Sequence, residues 1–278
     1  MKSRRLAALL LLPASAITLI AFLLPMGWLA RLSLDLNDGG ILVAAVTADN
    51  YRHFFTDAFY LGVLWRSVWV ASSVAALAVL AAYPIALFLF RTRSRWRGLL
   101  AVLTIAPLLV SSVVRTFGWM IILGDQGWIN STLLALGLIA APVQLMNNTT
   151  GVLIGLTEIM MPTTTLALLA GFARLDLTLE EAARTLGASP WRCFRRVTLP
   201  LTAPGIAVGV LVTFVLSISS FITPSLLGGG RVPMLANTIY EEALETLNWP
   251  MAAAISLILI AVFGAVLVGY ERLARRWA

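Results

Sequence analysis

The sequence predicts an all-α membrane protein that crosses a bilayer with six transmembrane helices and keeps both termini cytoplasmic. Three observations carry this expectation. The 278 residues are 60% hydrophobic and only 12% charged, with a mean hydropathy of +0.91, whereas a soluble domain carries about 25% charged residues. Six separate apolar windows are each long enough to span hydrocarbon. The basic residues fall on alternate connections between those windows. No polar stretch is long enough for a soluble domain, so residues 1–278 read as a single transmembrane domain.

The windows are Leu6–Ala30, Ser67–Phe90, Leu99–Leu123, Gly151–Phe172, Gly205–Leu227 and Met251–Tyr270. At ~1.5 Å per residue each reaches ~30 Å, the thickness of a bilayer core. Lys2, Arg4 and Arg5 followed by Ala14-Ser15-Ala16 resemble a signal peptide with its cleavage site. The apolar run continues to Ala30, too long for such a segment, which favours an uncleaved span. Ile129–Val143 is also apolar, but it is short and contains Gly137 and Pro142, so an interfacial or re-entrant helix is expected there.

Orientation follows from charge. The segments before span one, between spans two and three, between four and five (173–204) and after span six hold fifteen of the twenty basic residues, among them Arg91, Arg93, Arg95 and Arg97, and Arg174, Arg184, Arg192, Arg195 and Arg196. Positive charge marks cytoplasmic loops. The opposite face keeps four arginines against eight acids, including Asp35, Asp49, Glu241 and Glu242. Such acids are tolerated in outer loops, or they attract a cationic substrate or partner.

The net charge of +7 does not indicate nucleic-acid binding, because the basic residues lie in short clusters between apolar runs. One cysteine, Cys193, and one histidine, His53, are too few for a zinc site, an HExxH motif or a Ser-His-Asp triad. No metal or cofactor is implied. A P-loop requires a lysine before Ser/Thr, and the only lysine is Lys2.

The 173–204 connection is locally specified. Thr178 and Glu181 fit a capping box. A helix from Leu179 to Leu186 is expected to end at Gly187. Ser189 and Pro190 start a second helix, which should stop at Pro200 with Pro204 following. Small Ala182 and Ala183 on a short surface helix suit close approach by another protein.

Glu181-Ala182-Ala183, three residues, Gly187, nine residues and Val197-x-Leu199-Pro200 resemble the EAA signature of ABC importer permeases. That pattern has isoleucine where this chain has Val197. Arg52–Ser67, Ser111–Gly118, Phe221–Gly230 and Trp249–Ala254 resemble segments of the spermidine/putrescine-type subgroup, whose relatives also serve other small organic solutes. The resemblance implies the type I ABC importer permease fold in a bacterial cytoplasmic (inner) membrane. It also implies a chain without catalysis of its own. Two ATP-binding cassette subunits, a second homologous permease and an external substrate-binding protein are the implied partners. By matched position, Glu181, Ala182, Ala183 and Gly187 contact the ATPase, and Leu199 and Pro200 end the loop and fix span five.

Arg115 and Glu158 are the ionisable residues inside spans, and such residues are functional candidates. They form a structural pair, or Glu158 lines the pathway and offers a negative site to a cation, or either residue snorkels or faces a polar cavity. Trp119, Trp128 and Trp249 fall near span ends, where aromatic belts are expected. Two other classes compete. An intramembrane enzyme would need a paired-acid, Ser/His or metal constellation. A gradient-driven transporter would show broken helices in an internal repeat, for which no sequence sign is visible.

Overall fold

The computed structural model of the chain describes residues 2–172 and 175–274. Ala173, Arg174, Arg275 and Arg276 lie outside the described residues, so the basic residues assigned to those positions have no structural account. In chain order the elements are α1 (Lys2–Leu32), a hairpin of β1 (Leu36–Asp38) and β2 (Ile41–Val43), α2 (Asp49–Thr56), α3 (Ala58–Arg91) and α4 (Arg97–Ile105), which tightens into a 3₁₀ turn over Ala106–Leu109. There follow α5 (Ser112–Leu123), α6 (Trp128–Ala135), α7 (Thr149–Phe172), α8 (Leu177–Thr185), α9 (Pro190–Cys193), a π turn (Phe194–Thr198) and α10 (Leu199–Ile218). The last elements are α11 (Ile222–Gly228), α12 (Leu235–Tyr240), a second π turn (Glu241–Glu245) and α13 (Trp249–Ala274).

Among the described residues, five helical stretches are long and apolar enough to cross a membrane: Ser15–Leu32, Ala58–Arg91, Thr149–Phe172, Pro190–Ile218 and Trp249–Arg272. The third predicted span, Leu99–Leu123, is not one helix. Arg97–Leu109 and Ser112–Ala135 meet at a 95° bend and make a sixth crossing if the pair is one span. Pro107 has no N–H to extend the helical ladder, Val110 is extended, and Ser111 caps the next helix by accepting from the Val113 N–H.

The fifth span is also displaced from Gly205–Leu227. It begins at Pro190, runs through the π turn and ends at Ile218, and α11 is a separate helix after Ser219 and Ser220. Pro224 can neither donate to the Ser220 carbonyl nor fit against it, which separates α10 from α11. Both breaks correct the expectation of unbroken spans. Of Ile129–Val143 only the part up to Ala135 is helical, as the end of the eight-residue α6. Asn130 then fastens the returning chain, donating to the Val143 carbonyl at 3.0 Å and accepting from its N–H at 2.8 Å.

Two compact units share the chain: Met1–Leu61 with Thr238–Val262, and Gly62–Asn237 with Phe263–Ala278. In the first, Asn50 Nδ2 donates to the carbonyls of Ser33 (2.9 Å) and Asp35 (2.8 Å), and the Tyr60 hydroxyl donates to Glu242 at 2.6 Å. Asp35 accepts from the Ala45 N–H and from Arg31, and these contacts hold its carboxyl below the usual range.

In the second unit α3 buries a stripe of Val63, Ser67, Val70, Val74, Ala78, Ala82 and Ala86 at helical spacing, while Trp65, Trp69, Leu77 and Leu80 stay exposed. One core gathers Val70, Val74, Leu123, Leu156, Leu227 and Met234, and another gathers Ala82, Ala86, Leu168 and Phe172. Hydroxyl pairs cross between helices at Thr164–Thr213 (2.6 Å) and Thr116–Thr223 (3.0 Å), each worth roughly 0.6 kcal/mol in a bilayer.

The α7–α10 crossing depends on two glycines. A Cβ on Gly171 would lie 2.3 Å from the Gly205 Cα, and one on Gly205 would lie 2.8 Å from the Gly171 Cα. Backbone meets backbone there, as in small-residue crossings generally. Gly205→Val is expected to force the helices apart at a cost of about 1–3 kcal/mol. A lower midpoint of thermal aggregation in detergent would register this, and an unchanged midpoint would mean the crossing is not tight.

Candidate functional site

Chemistry-bearing residues gather in two places, the 175–204 connection and the middle of α7. In the connection, α8 starts at Leu177, and its N-cap is Asp176, whose carboxylate accepts from the Thr178 N–H at 2.9 Å. The predicted Thr178–Glu181 capping box is therefore not the cap. Asp176 comes two residues earlier and supplies a charged acceptor for the same helix end. The Thr178 backbone bond, then its hydroxyl, hold the Asp176 carboxyl below the usual range.

At the other end, Gly187 N–H donates to Arg184 O (2.9 Å) and Ala188 N–H to Ala183 O (3.0 Å). This is a Schellman motif with Gly187 at φ +79°. Ser189 caps α9 by accepting from the Arg192 N–H, with Pro190 in its first turn. The second helix does not stop at Pro200. In the π turn Leu199 N–H reaches back to Phe194 O, and the wider turn carries the ladder past the donors that Pro200 and Pro204 lack. Leu199 and Pro200 thus open α10 rather than close the helix before it.

Glu181, Ala182 and Gly187 are exposed and Ala183 is half-buried. Beside them stand two exposed apolar side chains the pattern did not single out, Leu186 at 88% and Trp191 at 68%. A large apolar residue following the polar Arg184 and Thr185 at the end of a surface helix was the available signal for Leu186.

In the middle of α7, Glu158 meets Arg115 of α5. Arg115 Nη2 lies 2.6 Å from Glu158 Oε1 and also donates to the Glu158 carbonyl at 2.9 Å. Trp119 Nε1 donates to the other carboxylate oxygen at 3.1 Å. Trp119, expected near a span end, is thus also a partner of the Glu158 carboxylate. It follows Arg115 by four residues and shares its helical face. The Arg115 side chain is 10% exposed and that of Glu158 36%.

Arg115 lines a cavity of about 830 Å³ together with Ser111, Ser112, Thr163, Ser219 and Ser220. Both helix breaks open onto it. Glu158 lines a second pocket, of about 200 Å³, with Thr104, Pro107 and Thr165.

Residues 40–278 match the model of the family described as binding-protein-dependent transport system inner membrane component. The chain belongs to this family. Such a permease is a multi-pass protein of the bacterial inner membrane and a non-catalytic subunit of an ABC importer, a machine that also contains ATPase subunits and a binding protein. The chain is 35% identical over 239 residues to the spermidine/putrescine transport system permease protein PotB of Escherichia coli strain K12, covering 86% of each. It is 34% identical over 227 residues to the PotB of Haemophilus influenzae, covering 82% of this chain and 79% of the relative. The permease fold also matches a chain of a bacterial alginate ABC transporter crystallised with its alginate pentasaccharide-bound periplasmic protein. The TM-score is 0.76 at 18% identity, covering 99% of this chain and 96% of that one. Broken helices therefore belong to an ABC permease here and do not indicate a gradient-driven transporter.

Proposed function

We propose that this permease subunit imports polyamines of the spermidine/putrescine type, and that α8 is the helix through which ATP hydrolysis drives it. The observation that carries the substrate reading is the 34–35% identity to PotB proteins over most of both chains. A partly exposed intramembrane carboxylate, Glu158, is consistent with a cationic solute. On the outer face, burial and then Glu245 and Glu242 push the Glu241 carboxyl above its usual range, a strain that an approaching cation relieves.

In this reading two ATPase subunits each hold one such helix, one from this chain and one from a second, homologous permease in a heterodimer. A periplasmic or extracellular binding protein delivers the solute. Glu181, Ala182, Ala183 and Gly187 form the exposed ATPase contact, with Leu186 adding apolar area. Leu199 and Pro200 start the helix that the contact moves. Arg115 and Glu158 border the pathway, and rigid-body tilting switches the chain between inward- and outward-facing states.

Uptake of labelled putrescine, with spermidine and a neutral solute of similar size as competitors, tests the substrate class. Competition by the neutral solute and not by spermidine overturns it. Glu158→Gln removes the charge and keeps one carbonyl oxygen, which can accept from Arg115 or from Trp119 but not from both at their present positions, so the variant is expected to accumulate less and to transport putrescine more slowly per inserted permease. Unchanged uptake removes Glu158 from the pathway.

A further inference from the structure

The carboxylate that anchors α8 is not the one in its signature. Glu180 precedes Glu181 yet is only 4% exposed. Its Oε1 accepts from Arg91 Nη2 at the end of α3 and from Thr198 Oγ1 in the π turn at 2.6 Å. The same Arg91 nitrogen donates to Thr198 Oγ1 at 3.2 Å, which closes a three-residue ring. The Glu180 carbonyl faces the buried Cys193 thiol at 3.8 Å.

Next to the ring, the α3 residues Tyr83 and Phe90 set their rings edge-on against Phe172 of α7 at 5.4 and 6.1 Å. Tyr83 also meets Phe194 edge-on at 6.1 Å and pairs with Thr202 of α10 at 3.0 Å. α8 itself packs on α9 and the π turn, and Arg91 ties it to α3.

We propose that Glu180 is a positioning residue that makes α8 and the adjoining ends of α3 and α10 move as one rigid piece. This rests on the ATPase-docking reading of α8. A displacement of α8 is useful only if it reaches the spans, and a helix joined by chain alone would swivel instead. A charge pair with a shared hydroxyl resists swivelling, because opening it leaves the buried Glu180 carboxylate without its cation, while Arg91 is half-buried. Arg91 Nε is already buried without a hydrogen bond, so the guanidinium has little else to hold it. Such a joint is either intact or open, the behaviour of a packed element that transmits rigid-body motion.

The test places spin labels at Phe88 in α3 and Arg184 in α8 of the complete importer in lipid nanodiscs and measures their separation with and without ATP. Uptake of labelled putrescine per ATP hydrolysed is measured in parallel in proteoliposomes. The unsubstituted joint should give one narrow distance in both nucleotide states. Glu180→Gln should broaden it and lower transport per ATP by at least about fivefold, the lower end of typical intersite coupling, while the ATPase subunits still co-purify. The exchange Glu180→Arg with Arg91→Glu should restore a narrow distance. If Glu180→Gln does not accumulate, Arg91→Lys keeps the charge but lacks the planar guanidinium, and it should broaden the distance likewise.

A distance that changes with ATP in the unsubstituted joint overturns the proposal. So does a narrow distance with unchanged transport per ATP in Glu180→Gln. If Gly187→Asp leaves ATPase association and transport intact, the docking reading fails instead, and the label distance still reports on the joint.

Discussion

Gly187→Asp is expected to leave the permease folded and inserted while cutting uptake roughly 5- to 150-fold, the range over which coupled sites typically communicate. The reason lies in the backbone. Gly187 is the left-handed residue of the motif that ends α8, and a Cβ placed there meets nothing within 4 Å. Aspartate tolerates left-handed backbone better than most residues, so the helix end should survive the change. What changes is the exposed surface, which gains a charge beside Glu181, Ala182 and Leu186 where close approach is needed. Gly187→Asn has the same backbone tolerance without the charge and is expected to transport better than the aspartate variant. Equal loss in both variants would assign the effect to backbone strain, and normal uptake in the aspartate variant would remove the docking role.

Arg115→Leu is expected to have the largest effect on the amount of folded protein. It leaves Glu158, in the middle of a membrane helix, with only the Trp119 N–H as a side-chain donor among the described residues. Removing one member of a buried ion pair costs about 3–5 kcal/mol, and the partial exposure of Glu158 puts this case toward the lower figure. Membrane yield and thermal aggregation in detergent should both fall. The double variant Arg115→Leu with Glu158→Met removes both charges and should recover most of the yield, because two apolar groups of similar size are close to neutral in place of a pair. Recovered yield with absent uptake separates a pathway role from a structural one. A yield that stays low in the double variant would mean that the pair itself is not what holds this region.

What was legible in the sequence divides by range. Five spans follow from local hydrophobicity, and a charged residue inside a span is rare enough that Arg115 and Glu158 could be singled out, with pairing as one of the readings, before their distance was known. The breaks in spans three and five were not legible, although Pro107 and Pro224 were in plain view. Pro13, Pro25, Pro84, Pro162 and Pro204 all sit inside continuous helices. Neighbouring helices and side chains can satisfy the groups a proline frees within a membrane, so proline alone does not mark an interruption. The α8 cap was misplaced because Asp176 and Thr178 are both good caps two residues apart. Glu180 was passed over because its partners, Arg91 and Thr198, lie far away in sequence, and nothing local distinguishes it from Glu181.

The two broken helices carry a consequence for the surrounding lipid. At Val110 and Ser219 the helical ladder is interrupted; their own N–H groups still reach the Pro107 and Val215 carbonyls, but hydrocarbon offers nothing to groups that the break frees. That side of the protein must therefore stay hydrated at the depth where acyl chains would otherwise lie. The hydroxyls of Ser111, Ser112, Ser219 and Ser220 on the same cavity wall supply anchoring points for that water. On the import pathway proposed above, a solute entering there exchanges one polar surrounding for another, and most of the cost of leaving water is met before it arrives.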